Sequence, residues 1–317
     1  MRMPLLAAAL ALAFLGAAPT GPLAAAPART AAAPARRAAA TPAVRPGPQS
    51  AHRKSPYVGA VTADAATGRI LFADHADAEA YPASVTKLMT ALLVLEDVEA
   101  GKYRLTDRAT ATPDVNRCEA SWVGIRVGES MTVDDLLMAL LVNSANDAAI
   151  VLGVHSAGSL DSFIARMNAK AAALGMTQTR YFNPNGLPAP KYGREFNRTT
   201  AADQLKLALA VVRHPQIYKY TSIKIGQVTD GRGKPLRFVN HNNVMVKDKL
   251  KVINPDGKEA VDGLKTGYID AGGSSVVLTG TRRGKRAIVV VLGSSSASER
   301  DDNARRLMED ALSALAW

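Results

Sequence analysis

The chain of 317 residues holds one cysteine, five histidines and a formal net charge of +11. Cys118 alone excludes an internal disulfide and a cysteine-based metal cluster; His52, His75, His155, His214 and His241 fall in no HxxxH or HExxH spacing, so no metal or other cofactor is expected. Seven Lys/Arg and no Asp/Glu lie in the first 55 residues, leaving +4 for the remainder, which argues against a nucleic-acid-binding domain.

Residues 1–26 read as a secretory signal peptide. Arg2 supplies the charged end, Leu5 to Leu15 the apolar core, and Ala17, Ala18 and Ala24 to Ala26 the small residues that suit a signal peptidase. No cysteine follows the core, against a lipoprotein anchor. Export to the periplasm or cell envelope is expected. Residues 27–54, mostly alanine, proline and arginine, bury too little to offset their ordering entropy and read as a flexible linker.

From Ser55 the pattern becomes globular. Tyr57 to Ala63 and Arg69 to Asp74 read as strands joined by a turn at Ala66-Thr67-Gly68. In Tyr81-Pro82-Ala83-Ser84-Val85-Thr86-Lys87 a serine and a lysine three apart share a helical face, with Ser84 in the first turn, where free N–H groups stabilise negative charge. Leu88, Met89, Ala91, Leu92, Val94 and Leu95 then bury one side of a helix ending near Gly101. By itself this is also the pattern of a capped helix with a solvated lysine.

Residues 103–130 are mixed, with short alternating pieces such as Trp122 to Val127. Thr132 caps a helix through Val142, with Asp134 and Asp135 in its first turn. Asn143 to Asp147 interrupts two apolar helical stretches, and Ser144 or Asn146 would serve there as a cap. Helices follow over Asp161–Leu174 and Thr200–Val212, with a turn-rich loop at Phe182 to Leu187 between them. Ile223 to Val228, Ser274 to Arg282 and Lys285 to Ser294 are strands, the last two joined at Arg283-Gly284. A final helix from about Ser298 has Ala304, Leu307, Met308, Ala311, Leu312 and Leu315 on its apolar face. Glu299, Asp301, Asp302, Glu309 and Asp310 on its polar face disfavour anionic lipid, so it packs on the sheet. Strands at both ends of a helical middle predict an α/β (α+β) unit with a helical insertion.

A third motif, Lys265-Thr266-Gly267, opens a further strand and alone would pass as an exposed edge. Together, Ser84-x-x-Lys87, Ser144-x-Asn146 and Lys265-Thr266-Gly267 resemble the signature of penicillin-binding proteins and class A β-lactamases. Tyr81 to Thr90, Asn143 to Ala148, Met167-Asn168, the Phe182 to Leu187 turn, Thr199 to Asp203 and Asn242-Asn243 narrow the resemblance to the D-alanyl-D-alanine carboxypeptidases of serine peptidase family S11, over residues 55–317. Ala145 stands where the family usually has glycine, and Ile269 where threonine is common.

The resemblance implies a β-lactamase/transpeptidase-like fold, an antiparallel sheet flanked by helices plus a helical subdomain. It also implies a serine DD-peptidase acting on peptidoglycan stem peptides, with β-lactams as covalent inhibitors. Ser84 would be the nucleophile, Lys87 its base, kept neutral by burial and by Lys265, and Ser144 the group passing the proton onward. Asn146, Lys265, Thr266 and Gly267 would bind substrate, and the backbone N–H groups of Ser84 and Tyr268 would form the oxyanion hole. A β-lactamase is disfavoured because Glu195 and Asn197 lack the Glu-x-x-x-Asn spacing, and a non-catalytic wall-binding module because the trio is intact. No C-terminal membrane anchor or second β-rich domain is expected, which tilts the choice between carboxypeptidase and endopeptidase towards cross-link cleavage.

Overall fold

Two cores form because the late strands are apolar on both faces. In a computed structural model describing residues 55–118, 120–188 and 195–316, β1 (Gly59–Asp64) and β2 (Ile70–Asp74) join β7 (Val261–Ile269), β8 (Gly273–Arg282) and β9 (Lys285–Ser294) in one antiparallel sheet, ordered β2-β1-β9-β8-β7. Side chains alternate across a strand. Ala287, Val289 and Val291 of β9 therefore face one core with Ala304, Met308, Ala311, Leu312 and Leu315 of the terminal helix, while Ile288, Val290 and Leu292 face the other, with the middle helices. The expected signal and linker lie outside the described residues.

The helical middle comprises α1 (Lys87–Glu99), α2 (Val133–Val142), α3 (Asn146–Ala157), α4 (Leu160–Ala173), α5 (Ala201–Val211), α6 (Tyr218–Thr221) and α7 (Asn243–Val246), and α8 (Ala297–Leu315) closes the chain. Small two-stranded sheets pair β3 (Arg108–Thr110) with β4 (Ser130–Thr132), and β5 (Ile225–Thr229) with β6 (Pro235–Val239). Thr132 caps α2 through the Asp135 N–H at 3.0 Å, and Thr200 caps α5 through the Asp203 N–H at 3.1 Å. Arg283 and Gly284 both take positive φ, 49° and 74°, the geometry of a two-residue hairpin turn.

Four expectations change. The first helix does not bury one side only: Lys87 through Leu95 are all buried, because sheet, α2, α3, α4 and α5 surround it. Trp122 to Val127 is not strand-like; it wraps the buried Asp147 carboxylate, which accepts N–H groups from Val123, Gly124 and Ile125 at 2.9–3.2 Å. Lys265-Thr266-Gly267 lies in the middle of β7 rather than opening it. Asp301 leaves the polar face of α8 and is buried against Arg300.

Candidate active site

Ser84 sits in a tight 3-10 turn, Ala83–Thr86, that runs directly into α1 at Lys87. The three-residue spacing brings Lys87 Nζ to 2.8 Å from Ser84 Oγ. Lys87 is wholly buried, at 0% exposure, with two further partners, Asn146 Oδ1 and the Asn185 carbonyl, each at 2.7 Å. Burial, and secondly the charge of Lys265, lower its pKa well below the ordinary lysine value.

Asn146 is the first residue of α3. No side chain caps this helix, whose N-cap is Ala145, so the Ser144/Asn146 segment is not the cap that its polarity alone would allow. Instead Asn146 is held between Lys87 and the loop before β4: its Nδ2 donates to the Ala120 carbonyl at 2.9 Å and its N–H to the Ser121 carbonyl at 2.7 Å. Ser144, 4% exposed, has φ of 61°, a conformation rare for a residue with a Cβ. Strain of this kind persists only where the surroundings over-determine it. Among the described residues the Ser144 hydroxyl makes no hydrogen bond to Ser84 or Lys87; the short link to Asn146 brings it to the cluster.

β7 forms the opposite wall. A Cβ at Gly267 would fall 2.7 Å from the Pro82 carbonyl oxygen and 3.1 Å from the Ser84 nitrogen, so only glycine lets this edge strand lie against the Ser84 turn. Lys265 is buried and donates to the Thr266 carbonyl at 2.9 Å. Its pKa falls to about 7, through burial and then the charge of Arg300. Thr266 is buried beside it, whereas the Tyr268 side chain projects outward and donates to Asp270 at 2.6 Å.

Two neighbours of the site were missed by sequence reasoning. Arg300, in the first turn of α8, is aligned by Asp301 at 2.6 and 2.8 Å; Asp301 in turn accepts from Asn243 Nδ2 at 2.7 Å. His241 keeps contact with solvent, yet partial desolvation and the charges of Lys265, Lys87 and Arg300 lower its pKa. Neither belongs to a short motif, and Asp301 read as a solvated charge. Cys118 is buried in the helical-side core. Among the described residues no cluster of His, Cys, Asp or Glu is arranged to hold a metal.

A serine hydroxyl hydrogen-bonded to a buried amine, an amide beside it and a second amine across a glycine-lined edge suits acyl transfer, with an anion held near Lys265. The family model described as D-alanyl-D-alanine carboxypeptidase, Peptidase S11, matches residues 50–296. The chain is 29% identical to D-alanyl-D-alanine carboxypeptidase DacF of Bacillus subtilis, over 80% of this chain and 61% of that protein. It is 29% identical to the D-alanyl-D-alanine endopeptidase of Escherichia coli, over 74% of this chain and 70% of that one. Penicillin-Binding Protein D2 of Listeria monocytogenes, solved in an ampicillin-bound form, matches with a TM-score of 0.68 and 28% identity, covering 82% of this chain and 99% of that one. The chain spans about three fifths of the length of the first curated relatives it matches.

Proposed function

Because this chain belongs to peptidase family S11, the D-alanyl-D-alanine carboxypeptidases, we propose that it hydrolyses D-Ala–D-Ala type bonds of peptidoglycan stem peptides through an acyl-enzyme on Ser84. The observation that carries this reading is the set of three contacts at Lys87 Nζ. A neutral amine has two hydrogens and one lone pair. With the hydrogens given to Asn146 Oδ1 and the Asn185 carbonyl, the lone pair is left for the Ser84 hydroxyl proton, which is what a general base requires.

In the proposed reaction Ser84 Oγ attacks the penultimate D-Ala carbonyl while its proton moves to Lys87. The backbone N–H groups of Ser84 and Tyr268 stabilise the oxyanion. Ser144 relays the proton to the departing amine nitrogen as the C–N bond breaks. Water, giving a proton back to the Lys87 side, then cleaves the ester and frees Ser84. Lys265, supported by the Arg300 charge, and Thr266 hold the terminal carboxylate; Gly267 leaves room for the peptide to lie along β7. β-Lactams would acylate the same oxygen. In this proposal residues 1–26 act as signal peptide, 27–54 as linker and 55–317 as catalytic domain, for export to the periplasm or envelope, and a nucleic-acid partner is not part of it.

Incubating the purified chain with monomeric pentapeptide and with cross-linked dimers, followed by mass spectrometry, tests the reading. Loss of one D-alanine from the monomer alone makes it a carboxypeptidase. Splitting of dimers makes it an endopeptidase. If neither substrate changes and penicillin leaves no adduct on the Ser84 peptide, the proposal fails.

The pKa directions add a pH signature. Lys87 must be neutral to accept a proton, so activity falls on the acid side. Lys265 must be charged to hold a carboxylate, and burial, then the charge of Arg300, lowers its pKa to about 7. The kcat/KM profile, which reports the free enzyme, is therefore expected to fall as pH rises above neutrality. A bound carboxylate raises the Lys265 pKa, so kcat should persist to higher pH than kcat/KM. Identical alkaline limbs in the two profiles would contradict this role for Lys265.

A further inference from the structure

The two Lys87 contacts besides Ser84 differ in kind. Asn146 is a side chain on a helix, but the Asn185 carbonyl belongs to a loop, and a loop carbonyl fixes a lone pair only if the loop itself is fixed. Three features fix it. Gly186, at φ of 94°, lies so close to the nucleophile's turn that a Cβ there would come within 1.9 Å of the Ala83 carbonyl oxygen. Thr90, one turn beyond Lys87, donates to the Pro184 carbonyl at 2.7 Å. The third is Asn197, on the segment that enters α5.

Asn197 is 1% exposed and bonded at both ends of its amide. Its Oδ1 accepts the Phe182 N–H at 2.7 Å and the Asn183 N–H at 3.2 Å. Its Nδ2 donates to the Asn183 carbonyl and to Thr86 Oγ1, each at 3.0 Å. Asn183 continues the chain of contacts, its Oδ1 accepting the Gly186 N–H at 2.6 Å and the Asn185 N–H at 3.3 Å. One buried amide thus ties the loop that carries the Asn185 carbonyl to Thr86, the residue immediately before Lys87. This is also the asparagine whose spacing from Glu195 fails the β-lactamase pattern, so that motif assigns it no role.

We infer that Asn197 is a positioning residue for the general base, clamping the Phe182–Leu187 loop to the Ser84–Lys87 turn so that the Asn185 carbonyl holds the Lys87 amine with its lone pair towards Ser84. The inference rests on the acyl-enzyme reading of Ser84. Asn197 touches neither Ser84 nor Lys87; it acts through Asn183, Asn185 and Thr86. Without it the carbonyl loses its fixed place, one amine hydrogen loses its acceptor, and the lone pair turns away from the hydroxyl for part of the time. Misplacement on the ångström scale of a reacting group costs roughly a hundredfold in rate.

The test is the rate of Ser84 acylation by benzylpenicillin, measured at saturating and subsaturating concentrations and normalised to folded protein by circular dichroism. Asn197→Ala is expected to lower the saturated acylation rate by roughly 10- to 100-fold while the half-saturating concentration changes little. Thr86→Val removes only the hydroxyl end of the clamp at almost constant volume; it should lower the rate by a smaller factor, and Thr86→Ser should restore it. If Asn197→Ala and Thr86→Val lower the melting temperature but acylate at the wild-type rate per folded molecule, the amide is merely structural and the inference is overturned. Should the wild-type chain itself form no Ser84 adduct, the fault lies in the proposed function instead.

Discussion

Ser84→Ala and Lys87→Met are each expected to lower kcat/KM for D-Ala–D-Ala substrates by roughly 10⁴- to 10⁶-fold, and the double variant to be no worse than either alone. In the proposed reaction nucleophile and base act as one unit: the 2.8 Å contact between Lys87 Nζ and Ser84 Oγ has value only when both atoms are present. Methionine is the informative replacement for the lysine. The side chain sits at 0% exposure, so an unbranched apolar chain of similar length fits the space and removes the cost of burying an amine. Against this, Asn146 Oδ1 and the Asn185 carbonyl lose their donor, a penalty of about 1–3 kcal/mol for an unsatisfied buried group. The two effects oppose, and the melting temperature should move far less than the rate. Hydrolysis assayed beside penicillin acylation and thermal unfolding checks all three points. A Lys87→Met enzyme within tenfold of wild type would mean that another group removes the proton.

Gly267→Ala should lower kcat/KM by roughly a hundredfold although it adds only one methyl group to an edge strand. That methyl would stand 2.7 Å from the Pro82 carbonyl and 3.1 Å from the Ser84 nitrogen, both backbone atoms of the nucleophile's turn. No side chain can swing aside to make room. Among the described residues β7 pairs only with β8, so the strand itself moves outward, by something under an ångström. The movement carries Lys265, Thr266 and the Tyr268 N–H away from Ser84 together. KM and kcat should both suffer, because the groups proposed to bind the carboxylate and one proposed oxyanion donor ride on the same strand. The pairing of the other four strands, β2-β1-β9-β8, is untouched, so folding cooperativity should persist. Normal turnover by Gly267→Ala would show that the strand does not need this approach.

Much of the fold was legible because its signals are local. The Thr132 cap, the Arg283-Gly284 hairpin turn and the two late strands it joins each depend on a few adjacent residues, and each is found where expected. What went astray depended on neighbours distant in sequence. Trp122 to Val127 alternates like a strand, but Asp147, more than twenty positions later, takes its N–H groups. Asp301 looks like any acid on a helix's outer face until Arg300 and Asn243 are seen to surround it.

The same division holds for the site. Sequence alone singled out the candidate groups, because Ser84-x-x-Lys87, Ser144-x-Asn146 and Lys265-Thr266-Gly267 resemble a family signature that is written in short local spacings. Only the tertiary structure decided what those groups experience. The depressed pKa of Lys87 comes from complete enclosure and from Lys265 across the cleft; the Lys265 value of about 7 comes from burial and from Arg300 on the last helix. Asn197 and the Asn185 carbonyl enter only through packing. Desolvation and charge act through space, and no spacing along the chain records them.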